Sequence, residues 1–222
     1  MGFSVIFDMD GVILDSERVS LQSWIRAGCG MGLPEGRYIE ALYDLIGTND
    51  EETRRRLEIA MNGFAGFDYD LVCERMWQLF TEAAEGGLPL KLGVNEVMDR
   101  LDKAGIPFGL ASSTRRSAVE RELTDVGLLQ RFSATVCGDE IQKGKPDPQI
   151  FLRCCDKLNG DPEKTFVIED SYNGIRAAHA AGMRPVMVPD LLKPTSEMEQ
   201  LACCICKDLF CAGEFIFSQI NR

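Results

Sequence analysis

The sequence predicts an α/β protein: a parallel sheet covered by helices on both faces, with an all-helical unit inserted after the first strand. Three observations carry this expectation. Short, continuously apolar runs recur along the chain, at Val5-Ile6-Phe7, Pro107-Phe108-Gly109-Leu110-Ala111, Ala134-Thr135-Val136-Cys137, Thr165-Phe166-Val167-Ile168 and Pro185-Val186-Met187-Val188. Their length and composition suit strands buried on both faces. Helical stretches separate the later runs, as parallel neighbours require. Between the first run and the second, only helical periodicity is found.

In chain order, the first run leads straight into Asp8-Met9-Asp10-Gly11, and Val12-Ile13-Leu14-Asp15-Ser16 follows as a flap and linker. From Glu17 onward Val19, Trp24, Ile25, Ile39, Leu42, Leu45 and Ile46 recur at helical spacing, with an expected break at the glycine-rich segment 28–32. Asn49-Asp50-Glu51-Glu52 reads as a helix start carrying acids in its first turn. Arg54, Arg55 and Arg56 after it read as a solvated face paired with those acids. Two further helical stretches are expected between Asp70 and Ala84, and Glu85-Gly86-Gly87-Leu88-Pro89 reads as the return hinge. Helices are then expected over Val94–Lys103, Ser117–Val126, Pro148–Leu158 and Asn173–Ala181, three of them stopped by Gly105, Gly127 and Gly182. The expected division is a core of residues 1–16 and 87–222 and a helical insert of residues 17–86.

With 222 residues and 45% hydrophobic content, the chain is long enough for one good core with a smaller satellite. The net charge of -11, from 24 basic against 35 acidic residues, repels a polyphosphate backbone, so nucleic acid is not an expected partner. No signal-peptide pattern opens the chain and no apolar run approaches the ~20 residues of a membrane span. A cytoplasmic protein with no membrane partner is the expectation. The nine cysteines are odd in number, and the single histidine, His179, lies far from the cluster Cys203, Cys204, Cys206 and Cys211. Reduced, mostly buried thiols are expected rather than a disulfide framework or a zinc site. His179 itself reads as a helix-face residue.

Function is legible at the strand ends. The first strand delivers two carboxylates, Asp8 and Asp10, and a turn at Gly11 lets the second swing back toward the first, so the two suit different tasks. The second delivers Ser112-Ser113-Thr114 at the start of a helix, a place suited to an anion. Lys143-Gly144-Lys145-Pro146-Asp147-Pro148 follows the third, and Glu169-Asp170-Ser171, with Gly174 close behind, follows the fourth. Taken singly, each is an ordinary cap or surface charge. Parallel strands bring their carboxyl ends to one edge, and there the four together form a set suited to phosphate chemistry.

The order of DMDGV, a hydroxyl after the second strand, KGKPDP and IEDSYNG resembles the haloacid dehalogenase superfamily, in particular its phosphatases and phosphomutases similar to β-phosphoglucomutase. The resemblance covers nearly the whole chain and implies a Rossmann-like core with the helical insert as a cap. It further implies Asp8 as nucleophile, Asp10 as general acid and base, and Ser112, Ser113 and Lys145 as phosphate-holding groups. Mg²⁺ is implied as cofactor, held by Asp8, the backbone carbonyl of Asp10, Asp170 and Glu169. Glu17, Thr48, Asn49 and Arg116 are the expected substrate-facing candidates, with Arg18 beside them. The expected partner is a small phosphate ester, and a monomer is expected.

The resemblance leaves two reactions open, and the cap residues bear on the choice. In the mutase a cap histidine engages the acid/base aspartate and a cap arginine grips a second phosphate; the matching positions here are Ser20 and Asn49. Both departures favour hydrolysis of a sugar phosphate or similar monoester over a phosphomutase. A non-enzymatic phospho-accepting module is a remoter alternative, since such modules are shorter and have no helical insert.

Overall fold

The computed structural model describes residues 2–46 and 50–220. The chain divides into two compact units, one of Met1–Asp15 with Gly87–Arg222 and one of Ser16–Gly86.

The first unit is built on a parallel sheet. Its strands are β1 (Ser4–Phe7), β2 (Phe108–Ser112), β3 (Ala134–Cys137), β4 (Thr165–Glu169), β5 (Arg184–Met187) and β6 (Cys204–Ile205), in the spatial order β3-β2-β1-β4-β5-β6. Every pairing is parallel, with Phe7 opposite Leu110 on one side and Ile168 on the other. Chain order reverses at β1, whose neighbours are β2 and β4. The carboxyl ends of β1 and β4 therefore frame the crevice where such sheets bind their ligands.

β1, β2 and β4 are buried at every position because helices lie on both faces. Ile6, Ala111, Val136 and Val167 pack with Ile150, Phe151 and Cys154 of α7 (Gln149–Lys157) and with Ala177 and Ala178 of α8 (Tyr172–Ala180). The helix α5 (Val94–Ala104) ends as the sequence predicts. Gly105 takes φ 65°, and its N–H and that of Ile106 bond back to Asp102 and Leu101. The segment after β5 is where the sequence reading fell short. It forms α9 (Ser196–Leu201), the two-residue β6 and α10 (Leu209–Ile220). α10 is apolar nearly all round, so it shows no clean helical stripe, and two residues are too few to announce a strand.

Also within this unit, the two linkers to the helical insert run side by side. Leu14 and Leu90 form an antiparallel bridge, Asp15 N–H donates to Pro89, and Lys91 N–H donates to Ile13. The Lys91 ammonium donates to Asp15 at 3.2 Å and to Asp190 at 2.6 Å, whose side chain is only 1% exposed.

The helical unit contains α1 (Ser16–Gly30), α2 (Glu35–Tyr43), α3 (Asp50–Ala60) and α4 (Tyr69–Ala84) around its own core of Ala27, Leu33, Tyr38, Leu42, Leu57, Met61, Val72 and Met76. Two expectations are corrected. α1 runs through Gly28 to Gly30, because the missing side chain at Gly28 makes room for the Tyr38 ring, whose hydroxyl donates to the Trp24 carbonyl at 3.0 Å. The expected pair of helices between Asp70 and Ala84 is one continuous helix, started by Asp68, whose carboxylate accepts from Asp70 N–H and Leu71 N–H. Arg54 pairs with Asp70 and Glu58 and stacks over Tyr69, while Arg55 and Arg56 pair with Glu52. These pairs are exposed to solvent and add little to stability.

Among the described residues no helix is long and apolar enough to cross a membrane. Of the nine cysteines, Cys137, Cys154, Cys155 and Cys206 are buried, four are half-buried and Cys203 is exposed, so burial is less general than the sequence suggests.

Candidate active site

The β1–β4 ladder continues one residue beyond β1, with Asp8 N–H donating to the Ile168 carbonyl at 3.0 Å. That bond fixes Asp8, 7% exposed, beside the end of β4. Lys145 arrives from the loop after β3. Its ammonium donates to Asp8 Oδ1 at 2.5 Å, Glu169 Oε1 at 2.6 Å and the Ala111 carbonyl at 3.3 Å, with the Phe151 ring 4.9 Å away. Glu169, wholly buried, uses its other oxygen to accept from Ser171 N–H and Ser171 Oγ. It is thereby held rigid, and it holds Lys145 in turn.

Gly174 makes this possible, since a Cβ there would overlap the Glu169 carboxylate. Gly11, at φ 75°, does the same for Asp170: any side chain would collide with its carboxylate, and only glycine adopts this backbone without strain. Asp8, Glu169 and Asp170 each bring one carboxylate oxygen within 4.8 Å of the others.

Charge is out of balance here. Burial pushes the Asp8 carboxyl up to about 8; Lys145 pulls it down, and Glu169 and Asp10 push it up again. Burial works against the ammonium of Lys145, but Asp8 and Glu169 outweigh it and hold the lysine above its ordinary value. One ammonium thus faces two buried carboxyl groups, and Asp8 is the one that burial leaves protonated until further positive charge arrives. Clustered hard oxygen donors with surplus negative charge suit a small divalent cation such as Mg²⁺.

Asp10 is held by a separate partner, as Thr114 Oγ1 donates to Asp10 Oδ2 at 2.8 Å. Thr114 is itself fixed. Its N–H donates to Ser112 Oγ at 3.0 Å, and its carbonyl accepts from Gly138 N–H at 3.0 Å. Gly138 must be glycine for this, because a Cβ would overlap the Ser113 carbonyl. Asp139, next in the chain, accepts from Arg116 N–H at the start of α6 (Arg116–Asp125). The loops after β2 and β3 are thus joined, and the joint carries the Asp10 partner.

A family model described as haloacid dehalogenase-like hydrolase matches residues 5–188. The chain belongs to the haloacid dehalogenase-like hydrolases. It is similar to a phosphorylated carbohydrates phosphatase of Thermotoga maritima, 35% identical over 82% of this chain and 83% of that protein. It is also similar to hexitol phosphatase B of Escherichia coli K12, 32% identical over 84% and 83%. Among solved structures, a haloacid dehalogenase family hydrolase of Deinococcus radiodurans superposes with a TM-score of 0.83 at 23% identity, covering 99% of this chain and 96% of that one. A β-phosphoglucomutase of Clostridium difficile gives 0.71 at 22%, covering 100% and 98%. Both structural likenesses bear on the fold alone. The relatives named as phosphatases and the family model make this hydrolase an enzyme.

Of the residues singled out in the sequence, this hydrolase brings Asp8, Lys145, Glu169 and Asp170 into one cluster, with Asp10 and Ser112 joined to it through Thr114 and Ala111. Ser112 is buried, whereas Ser113 is exposed at the head of the loop. The Arg116 guanidinium is committed elsewhere, to Glu140 at 2.7 Å, Glu120 and the Thr135 carbonyl. Glu17 is an exposed residue in the first turn of α1, within the helical unit. Thr48 and Asn49 lie outside the described residues. Sequence reasoning read Gly11 as a turn but missed its close approach to Asp170, and it missed the roles of Thr114, Gly138 and Gly174. The available signal was a glycine shortly after three of the polar strand ends, at Gly11, Gly138 and Gly174, where another polar group comes too close for any side chain.

Proposed function

We propose that this hydrolase is a Mg²⁺-dependent phosphatase of small phosphorylated metabolites, sugar or polyol phosphates in particular, working through an aspartyl phosphate on Asp8. The observation that carries the reading is the convergence of Asp8, Glu169 and Asp170 with the Lys145 ammonium at the point where the sheet order reverses. The relatives named for phosphorylated carbohydrates and hexitols support the substrate class.

Asp8 attacks the phosphorus through a carboxylate oxygen, forming an acyl phosphate and releasing the alcohol. The ammonium of Lys145 and the hydroxyl of Ser112 stabilise the charge on the non-bridging oxygens, where it spreads in the transition state. Asp10 gives a proton to the departing oxygen and then takes one from the water that cleaves the acyl phosphate. Thr114 holds Asp10 in the rotamer for both transfers. Mg²⁺, when bound by Asp8, Asp170 and the Asp10 carbonyl with Glu169 in support, supplies the positive charge that lets two anions meet.

A panel of sugar and polyol phosphates assayed for released phosphate tests the proposal. Turnover in Mg²⁺ that stops in EDTA supports it. Conversion of β-glucose 1-phosphate to glucose 6-phosphate without release would make the protein a mutase, and metal-independent turnover would overturn the cofactor assignment.

A further inference from the structure

A second reactive cluster lies at the far edge of the sheet. Alternation along β6 puts Cys204 and Cys206 on one face and Cys203 on the other, so the C-x-x-C spacing of Cys203 and Cys206 does not bring those two together. The Cys204 and Cys206 sulfurs lie 3.5 Å apart. Cys211, in the first turn of α10, is a third thiol in the neighbourhood of Cys206. The backbone holds each member in place: Cys206 N–H donates to the Met187 carbonyl at 2.8 Å, and Cys211 N–H donates to Asp208 Oδ1 at 2.8 Å. The other paired cysteines behave differently. Cys154 contacts the Leu110 carbonyl and Cys155 the Thr165 hydroxyl, as small core residues do.

We propose that Cys204 and Cys206 are a modification site: a dithiol that a hydroperoxide oxidises to a disulfide, with Cys211 as a third thiol to which the bond passes by exchange. Exposure assigns the roles. Cys204 is half-exposed and meets the oxidant, whereas Cys206 is 1% exposed and resolves the product. Burial and the neighbouring sulfurs also push the Cys206 thiol above its ordinary value, so it is a poor first nucleophile.

In the first step the Cys204 sulfur attacks a peroxide oxygen. The S–O bond forms, the O–O bond breaks, and the alcohol or water leaves with the thiol proton as sulfur gives up two electrons. In the second, the Cys206 sulfur attacks the sulfenic sulfur; the S–S bond forms, the S–O bond breaks, and water leaves with the Cys206 proton. Among the described residues the one trio of acid, cysteine or histidine ligand atoms gathered within 4.8 Å is Asp8, Glu169 and Asp170. The three thiols do not bring their sulfurs within 4.8 Å of one another as a trio, which suits pairwise exchange and not a metal cage.

The inference is independent of the phosphatase reading, and its test is chemical. The reduced full-length chain is treated with stoichiometric hydrogen peroxide, and its mass and peptide map are followed. A loss of two hydrogens with the bond mapped to Cys204–Cys206, or to Cys206–Cys211 after exchange, is expected. Cys206→Ser should leave a sulfenic acid on Cys204 that a dione reagent traps, and Cys204→Ser, at a half-exposed position, should slow disulfide formation on the order of tenfold or more. No thiol loss, cross-linking of two chains through Cys203, or oxidation unaffected by Cys204→Ser would each overturn the proposal.

Discussion

Replacing Asp8 by Asn removes the carboxyl whose ionisation burial opposes most, and the consequence is a change in how stability responds to pH. In the folded chain without metal the Asp8 carboxyl is raised to about 8, against an ordinary value of 3.8. Between those values the folded state keeps a proton that the unfolded state has lost. Stability therefore falls as pH rises, by about 1.4 kcal/mol per pH unit. Asparagine carries no such proton and matches the protonated acid in charge. From about pH 5 to about pH 7 the wild-type chain should lose on the order of 3 kcal/mol relative to Asp8→Asn, a divergence of ~5–11 °C in Tm for a protein of this size. Titrating groups remote from the site cancel between the two proteins. The assay is thermal unfolding in EDTA at several pH values, followed by circular dichroism. Mg²⁺ should then close the gap by stabilising the wild type, by about 2.7 kcal/mol at a hundredfold excess over Kd, and the variant much less. Parallel pH curves in EDTA, or a variant that loses more stability than the wild type on raising pH, would refute the reasoning.

Three further outcomes follow from named contacts. Gly174→Ala forces the Glu169 carboxylate away from Lys145; a stability loss of ~1–3 kcal/mol and a fall in kcat on the order of a hundredfold are expected, measured by denaturant unfolding and phosphate release. Thr114→Val frees Asp10 and should lower kcat about tenfold with KM little changed, while Thr114→Ser, which keeps the hydroxyl, should restore most of the rate. Lys91→Met takes the ammonium from the buried Asp190 carboxylate and should cost up to about 3–5 kcal/mol in urea unfolding, with part of the loss recovered in Lys91→Met/Asp190→Asn.

Much of the core was legible because its strands are buried on both faces and so read as short continuous apolar runs, ending abruptly in polar groups. The helix stops at Gly105, Gly127 and Gly182 were legible for an equally local reason, since each takes a positive φ that marks a helix end. The continuation of α1 through Gly28 was not, because the cause is the Tyr38 ring from another helix. Contacts between strand ends were likewise hidden. That Glu169 is spent on gripping Lys145 and Ser171, or that Thr114 bonds Asp10, depends on which strands are neighbours and on side-chain direction, neither of which a linear pattern specifies. α10 escaped because a half-buried helix that is apolar on most sides has no polar stripe to betray its period.

Trapping the phosphorylated enzyme tests the mechanism most directly. The chain is mixed with a radiophosphate-labelled hexitol phosphate and Mg²⁺, quenched in acid within a turnover, and digested. The label should remain on the peptide containing Asp8, be released by hydroxylamine as acyl phosphates are, and be missing from Asp8→Asn and from EDTA-treated enzyme. Turnover by Asp8→Asn, or label settling on any other residue, would contradict the account.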